Sequence, residues 1–68
     1  MRSQKRADYL KQMAITHGGD EELISMLSDL IFHANVGQIP DNAAILMMES
    51  LLRDAGIPVD TQNKDQEK

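Results

Sequence analysis

Apolar residues recur at intervals of three and four along three segments of the chain, which places them on one face of an α-helix in each segment. These positions are Ala7, Leu10, Met13 and Ala14, then Leu23, Met26, Leu27, Leu30, Ile31 and Ala34, and finally Ala44, Met47, Met48, Leu51, Leu52 and Ala55. No alternation of apolar and polar residues is long enough for a β-strand. The pattern predicts an all-α protein with helices over residues 4–16, 21–35 and 41–55.

Capping and breaking residues delimit the three helices. The predicted N-caps are Ser3, Asp20 and Asp41. The third helix ends at Ala55 and is followed by Gly56, an apolar residue and a proline, as in a Schellman motif. Because the connections are short, we expect antiparallel packing, with the second and third helices as a hairpin and the first docked across it. Residues 1–59 then form one helical domain, and residues 60–68, all polar or charged, a disordered tail.

The small size of the chain points to a partner. It has 68 residues and no cysteine, which excludes disulfides and thiolate metal sites. Because chains below about 70–80 residues bury only a small core, many are stabilised by a disulfide, a metal or another chain. A second chain is then the remaining means of stabilising the core, and we therefore expect a helical homodimer.

Two bulky apolar side chains do not fit the apolar faces. Phe32 points about 180° away from Leu23, and Leu46 lies well off the face of the third helix. Of the adjacent Met47 and Met48, one is expected to point outwards. The predicted interface residues are Phe32, Leu46, Met47 and Met48. The alternative is that the first helix covers Phe32 or Leu46.

The charges are unevenly distributed along the chain. Lys and Arg number 7 against 11 Asp and Glu, a formal net charge of −4. Basic residues nevertheless cluster near the start, at Arg2, Lys5, Arg6 and Lys11. This cluster is either a solvated surface or a docking patch for an acidic partner protein. A helix–turn–helix repressor is a further alternative, but the third helix has Asp41, Glu49 and Asp54 against a lone Arg53, which disfavours nucleic acid.

Residues for catalysis or metal binding are sparse. His33 has Asp29 four residues earlier for a local pair, but no further ligands at metal-binding spacing. The serines lack a nucleophile elbow, and there is no glycine-rich phosphate loop. We expect no enzyme activity, no cofactor and no metal. No apolar run approaches a membrane span and residues 1–11 lack the apolar block of a signal peptide, so we expect a cytoplasmic protein that does not bind membranes.

One stretch resembles a known family. Gly37-Gln38-Ile39-Pro40-Asp41-Asn42-Ala43-Ala44-Ile45-Leu46 is similar to the hinge and following helix of the small enterobacterial biofilm regulators of the YmgB/AriR type. Ala7-Asp8-Tyr9-Leu10 resembles the aromatic-containing segment that precedes their hairpin. The resemblance implies a small helical homodimer that regulates or connects two-component signalling, with suggested DNA association. The basic residue expected at the opening of that helix is missing here.

These features together predict a non-catalytic regulatory protein of bacterial or phage origin. We expect it to form a homodimer and to bind an unidentified protein through a helical face. The alternatives are the helix–turn–helix repressor and a small chaperone that holds a helical partner in a hairpin groove.

Overall fold

Three α-helices make up most of the part of the chain that the computed structural model describes, residues 3–59. They are α1 (Gln4–Thr16), α2 (Glu21–Asn35) and α3 (Asp41–Asp54). There is no β-strand between residues 3 and 59, and the predicted all-α class is confirmed. Each helix in this range is too short or too polar to cross a lipid bilayer. The predicted tail, residues 60–68, lies outside the described residues.

The three helices begin differently. Asp20 caps α2 as predicted, because its side chain accepts a hydrogen bond of 2.9 Å from the backbone N–H of Leu23. Ser3 occupies the N-cap position of α1 but makes no side-chain capping bond. The N-cap of α3 is Pro40, one residue earlier than predicted, since its extended backbone directs its carbonyl to the N–H of Ala44. Asp41 is then the first helical residue, where its negative charge interacts favourably with the helix dipole.

The helices end in the same way, with a glycine in the left-handed conformation after the last turn. At the end of α3, Gly56 has a φ of 80° and donates to the carbonyl of Arg53, while Ile57 donates to that of Leu52. These two bonds are those of a Schellman motif, as predicted. The motif directs the side chain of Ile57 into the core, where it is 6% exposed.

The core lies where the three helices meet, and each helix contacts the other two. It is formed by Ala7, Leu10, Ala14, Leu23, Leu27, Ile45, Met48, Leu52 and Ile57. Alanines occupy two of the three buried positions of α1. Because these side chains are small, the α1 backbone can pack closely against the other helices.

The buried face of α3 is rotated relative to the prediction. Ile45 is buried although it was not placed on the apolar face, whereas Met47 and Ala55 were placed there and are exposed. The reason is the position of α1, which is linked to α3 through Arg6 and Glu49 on the side where Ile45 lies. The opposite edge of α3, with Met47, is left uncovered.

Because Asp20 makes a side-chain capping bond and Ser3 does not, removing Asp20 and removing Ser3 should lower the free energy of unfolding by different amounts. Replacing Asp20→Ala removes an observed capping bond and should lower the free energy of unfolding by about 1 kcal/mol. The matched change Ser3→Ala removes no such bond and should cost much less. Urea denaturation followed by circular dichroism measures both, and equal losses would contradict the assignment.

Candidate functional site

An open groove runs between α2 and α3 on the side that α1 does not cover. It has a volume of about 420 Å³ and is lined by Met26, Asp29, Leu30, Met47, Ser50 and Leu51. On each helix the second and third lining residues follow the first by three and four positions, so they lie on one face. The two faces meet along the groove, which presents a mostly apolar surface to solvent.

The apolar residues of the groove divide into a floor and a rim. Leu30 and Leu51 are half-buried and pack against the core. Met26 and Met47 are 39% and 42% exposed. Methionine side chains are flexible and adapt to differently shaped partners. The groove therefore combines a floor continuous with the core and a rim that can change shape.

The groove continues towards the start of α2 and the end of α3. This extension has a volume of about 320 Å³ and is lined by Asp20, Glu22, Leu23, Met26, Leu51, Asp54 and Ala55. Met26 and Leu51 belong to both parts. The two parts therefore adjoin each other, and we call them together the trough.

The charges along the trough are all negative. Asp29 lines the groove, and Asp20, Glu22 and Asp54 line the extension. No lysine, arginine or histidine is among the residues that line either part in the described chain. An apolar surface with an acidic border favours a partner that carries both apolar and basic groups.

Sequence reasoning gave a hairpin groove only as part of the chaperone alternative and did not identify its lining, because it placed Met26, Leu30 and Leu51 on core-facing stripes. The width of the α2 stripe is the signal that could have revealed it. Met26 and Ile31 lie about 140° apart around the helix. Two neighbouring helices leave one edge of so wide a stripe uncovered.

Phe32 and Leu46 lie outside the buried faces, as predicted, and are 58% and 63% exposed. The alternative, that α1 covers one of them, is wrong. Neither residue lines the groove that contains Met47. Phe32 is about 160° from Leu30 around α2, and Leu46 about 100° from Met47 around α3. The predicted interface residues therefore lie on separate surfaces.

Val36, which was not among the predicted interface residues, extends the surface at Phe32. It follows Phe32 by four residues and is 53% exposed. Residues at this spacing are neighbours on a helix surface. The end of α2 therefore presents two adjacent apolar side chains.

Met48 does not belong to any exposed surface. Its side chain is fully buried in the core, whereas that of Met47 is exposed. Consecutive residues point about 100° apart on a helix, so only one of the pair can face the core. The expectation that one methionine points outwards is confirmed, and the placement of Met48 at an interface is corrected.

The basic residues of α1 do not form a single patch. The guanidinium of Arg6 pairs with Glu49 of α3 at 2.9 Å, and its Cζ lies 5.1 Å from the ring centroid of Tyr9. Arg6 therefore links two helices, which corrects its assignment to a docking patch. Lys5 is exposed and Lys11 partly so, but they point about 120° apart around α1. Arg2 lies outside the described residues.

The histidines are placed at helix ends. The imidazole Nδ1 of His33 is hydrogen-bonded to the side-chain oxygen of Gln38, beyond the end of α2. The predicted pair with Asp29 is not formed, and Asp29 faces the groove. His17 is exposed at the C-cap of α1. Between residues 3 and 59, no three His, Asp or Glu side chains are grouped as a metal site would require.

The structural role of Arg6 can be tested against a neighbouring residue. Arg6→Gln breaks an ion pair whose side chains are each 13% exposed, and should lower the free energy of unfolding by about 1–2 kcal/mol. Lys5→Gln removes the same charge from an exposed position and should cost less than about 0.5 kcal/mol. Thermal unfolding of the two variants measures the difference, and a similar stability would refute the link.

Comparison with family models, with curated proteins and with solved structures found no match to this chain. The resemblance to the biofilm regulators stays a prediction that rests on the residues quoted above.

Proposed function

We propose that this protein is a small non-catalytic regulatory protein that acts through protein–protein contacts as a helical homodimer. The observation that carries the proposal is the exposure of bulky apolar side chains on a chain with a small core. Phe32 and Leu46 are both more than half exposed. Exposed apolar patches of this kind favour contact with another protein surface. The proposal includes a cytoplasmic location and a bacterial or phage origin, as expected from the sequence.

The arrangement of α2 and α3 supports a helical hairpin as the scaffold of the dimer. Asp20 and Leu23, at the start of α2, line the same recess as Asp54 and Ala55, at the end of α3. Residues from opposite ends of the two helices lining one recess favour antiparallel packing. The resemblance to homodimeric biofilm regulators, whose hairpin carries the quoted motif, favours the same architecture.

The outer surfaces of the hairpin are the proposed contacts between the two copies. Phe32 and Val36 form one apolar patch on α2, and Leu46 forms another on α3. A single exposed apolar residue is ordinary on a protein surface. Large apolar residues with at least a third of their surface exposed occur here at Ile15, Met26, Phe32, Val36, Leu46 and Met47. This accumulation on so short a chain favours association.

Charge disfavours the helix–turn–helix repressor. An α3 that reads DNA would present Asp54 to the phosphates, and Glu49 is already engaged by Arg6. Lys5 and Lys11 point about 120° apart around α1 and so do not form one basic surface. The acidic trough would repel DNA as well. We therefore rank this alternative below protein binding.

One observation favours the second alternative, a small chaperone for a helical partner. The groove between α2 and α3 is open, apolar and bordered by two helices. An amphipathic helix of another protein binds to grooves of this kind. This activity is compatible with a homodimer that associates through Phe32 and Leu46, because neither residue lines the groove.

Sedimentation equilibrium at micromolar concentration tests the homodimer. We expect the mass of a dimer, and we expect Phe32→Lys combined with Leu46→Lys to raise its dissociation constant at least tenfold, because a charge would be buried at each contact. Ile15→Lys is the matched control, since Ile15 is 50% exposed on α1 and should leave the dimer intact. A wild-type monomer, or an unchanged mass of the double variant, would count against the proposal.

Binding of duplex DNA separates the repressor from the proposed function. At about 50 mM salt we expect no retention of a mixed-sequence duplex, because a chain with a net charge of −4 repels phosphates. The measurement is a gel-shift titration at increasing salt. Tight binding that weakens steeply as salt is added would favour the repressor.

A further inference from the structure

We propose that the trough between α2 and α3 binds a basic amphipathic helix of a partner protein. The partner helix would place apolar side chains at positions i, i+3 or i+4, and i+7, and lysine or arginine at the flanks of that stripe. This inference rests on the proposed function in one respect, since it assumes that the protein acts by binding another protein. It does not require the homodimer.

The dimensions of the trough fit a short length of helix. Its groove and extension are joined at Met26 and Leu51. From Glu22 to Leu30 the wall formed by α2 is about 12 Å long, or two helical turns. A helix lying along this wall offers one apolar side chain per turn, which gives the spacing stated above.

The trough offers an apolar contact surface along its length. Leu30 and Leu51 form the floor of the groove, and Leu23 lines the extension. Met26 and Met47 stand at the rim, partly exposed, where they can close over a bound side chain. Covering these residues removes apolar surface from water, which is the main source of affinity.

The acidic border selects the charge of the partner. Asp29, Glu22 and Asp54 are exposed along the trough, whereas Asp20 is occupied as the cap of α2. Each exposed ion pair contributes little affinity, about 0–1 kcal/mol. Several acidic groups along one surface nevertheless orient a basic helix and reject an acidic one.

The chain itself does not supply a suitable occupant. Residues 60–68 contain no apolar side chain. A second copy that docked trough to trough would bring Asp29, Glu22 and Asp54 against the same acidic residues. The α1 helix of a second copy offers a single exposed bulky apolar residue, Ile15. Together with the acidic border, these poor fits favour a basic segment of a different protein as the occupant.

Three synthetic peptides test the recognition of charge and pattern. The first is a 14-residue amphipathic helix of leucine and lysine with one tryptophan, the second replaces each lysine by glutamate, and the third scrambles the first. Because the protein has no tryptophan, the fluorescence of the peptide reports binding. We expect saturable binding of the leucine–lysine helix with one peptide per chain. The glutamate and scrambled peptides should bind at least tenfold more weakly.

Methionine methyl groups locate the bound peptide. In protein labelled with ¹³C at these methyls, the signals of Met26 and Met47 should shift on addition of the leucine–lysine helix, because both side chains are exposed in the trough. The signal of Met48 should stay in place, since that side chain is fully buried in the core.

Two matched pairs of variants separate the trough from the rest of the surface. Met47→Gln should weaken the peptide at least fivefold, whereas Leu46→Gln, at an exposed residue outside the trough, should leave binding within twofold. Asp29→Lys should weaken binding of the peptide at least fivefold. Asp8→Lys makes the same change of charge at an exposed residue of α1 and should weaken binding less than twofold. These four positions are outside the core.

The inference is overturned if the leucine–lysine helix does not bind at 100 µM peptide. It is also overturned if the glutamate or scrambled peptide binds equally well, if Met47→Gln and Leu46→Gln have the same effect, or if Asp29→Lys and Asp8→Lys do. Sedimentation of the same protein distinguishes this failure from that of the homodimer. If the protein is a dimer that does not bind the peptide, helix binding in the trough is refuted and the homodimer is not. If it is a monomer that binds the peptide, the homodimer is refuted and helix binding in the trough is not.

Discussion

The packing of α1 against one side of the α2–α3 pair is the constraint on which the exposed surfaces depend. Ala7, Leu10 and Ala14 bury the inner face of α1. The Arg6–Glu49 ion pair holds α1 on the side of α3 where Ile45 is buried. One helix can cover only one side of such a pair. The apolar residues on the other side, Met26 and Met47 among them, are thereby left at the surface.

This arrangement separates two kinds of apolar surface. The trough is concave, continuous with the core and bordered by acidic residues, which suits a helix of defined charge. The patches at Phe32 and Leu46 lie on the outer faces of α2 and α3, away from the trough. We propose that these outer patches serve self-association and that the trough serves a different protein. The two sets of residues do not overlap, so neither proposed contact uses the side chains of the other.

The helix ends could be predicted because their causes are local. A glycine after the last turn allows the left-handed conformation that closes each helix, and Asp20 needs only the N–H of Leu23 to act as a cap. The first residues of α3 were harder to assign. Asp41 and Pro40 both fit a helix start, and the choice depends on a backbone angle that side-chain preferences do not determine.

Sequence alone was sufficient for the all-α class, the three helices and the outward positions of Phe32 and Leu46, because these follow from spacing within one helix. The tertiary structure decided which edge of each stripe is covered, and so made Met48 a core residue, Met47 a rim residue and Arg6 a link between helices. Residues far apart in the chain make these contacts. A periodicity of 3.6 describes the direction of a side chain from its own helix axis, but it carries no information about where the neighbouring helix lies.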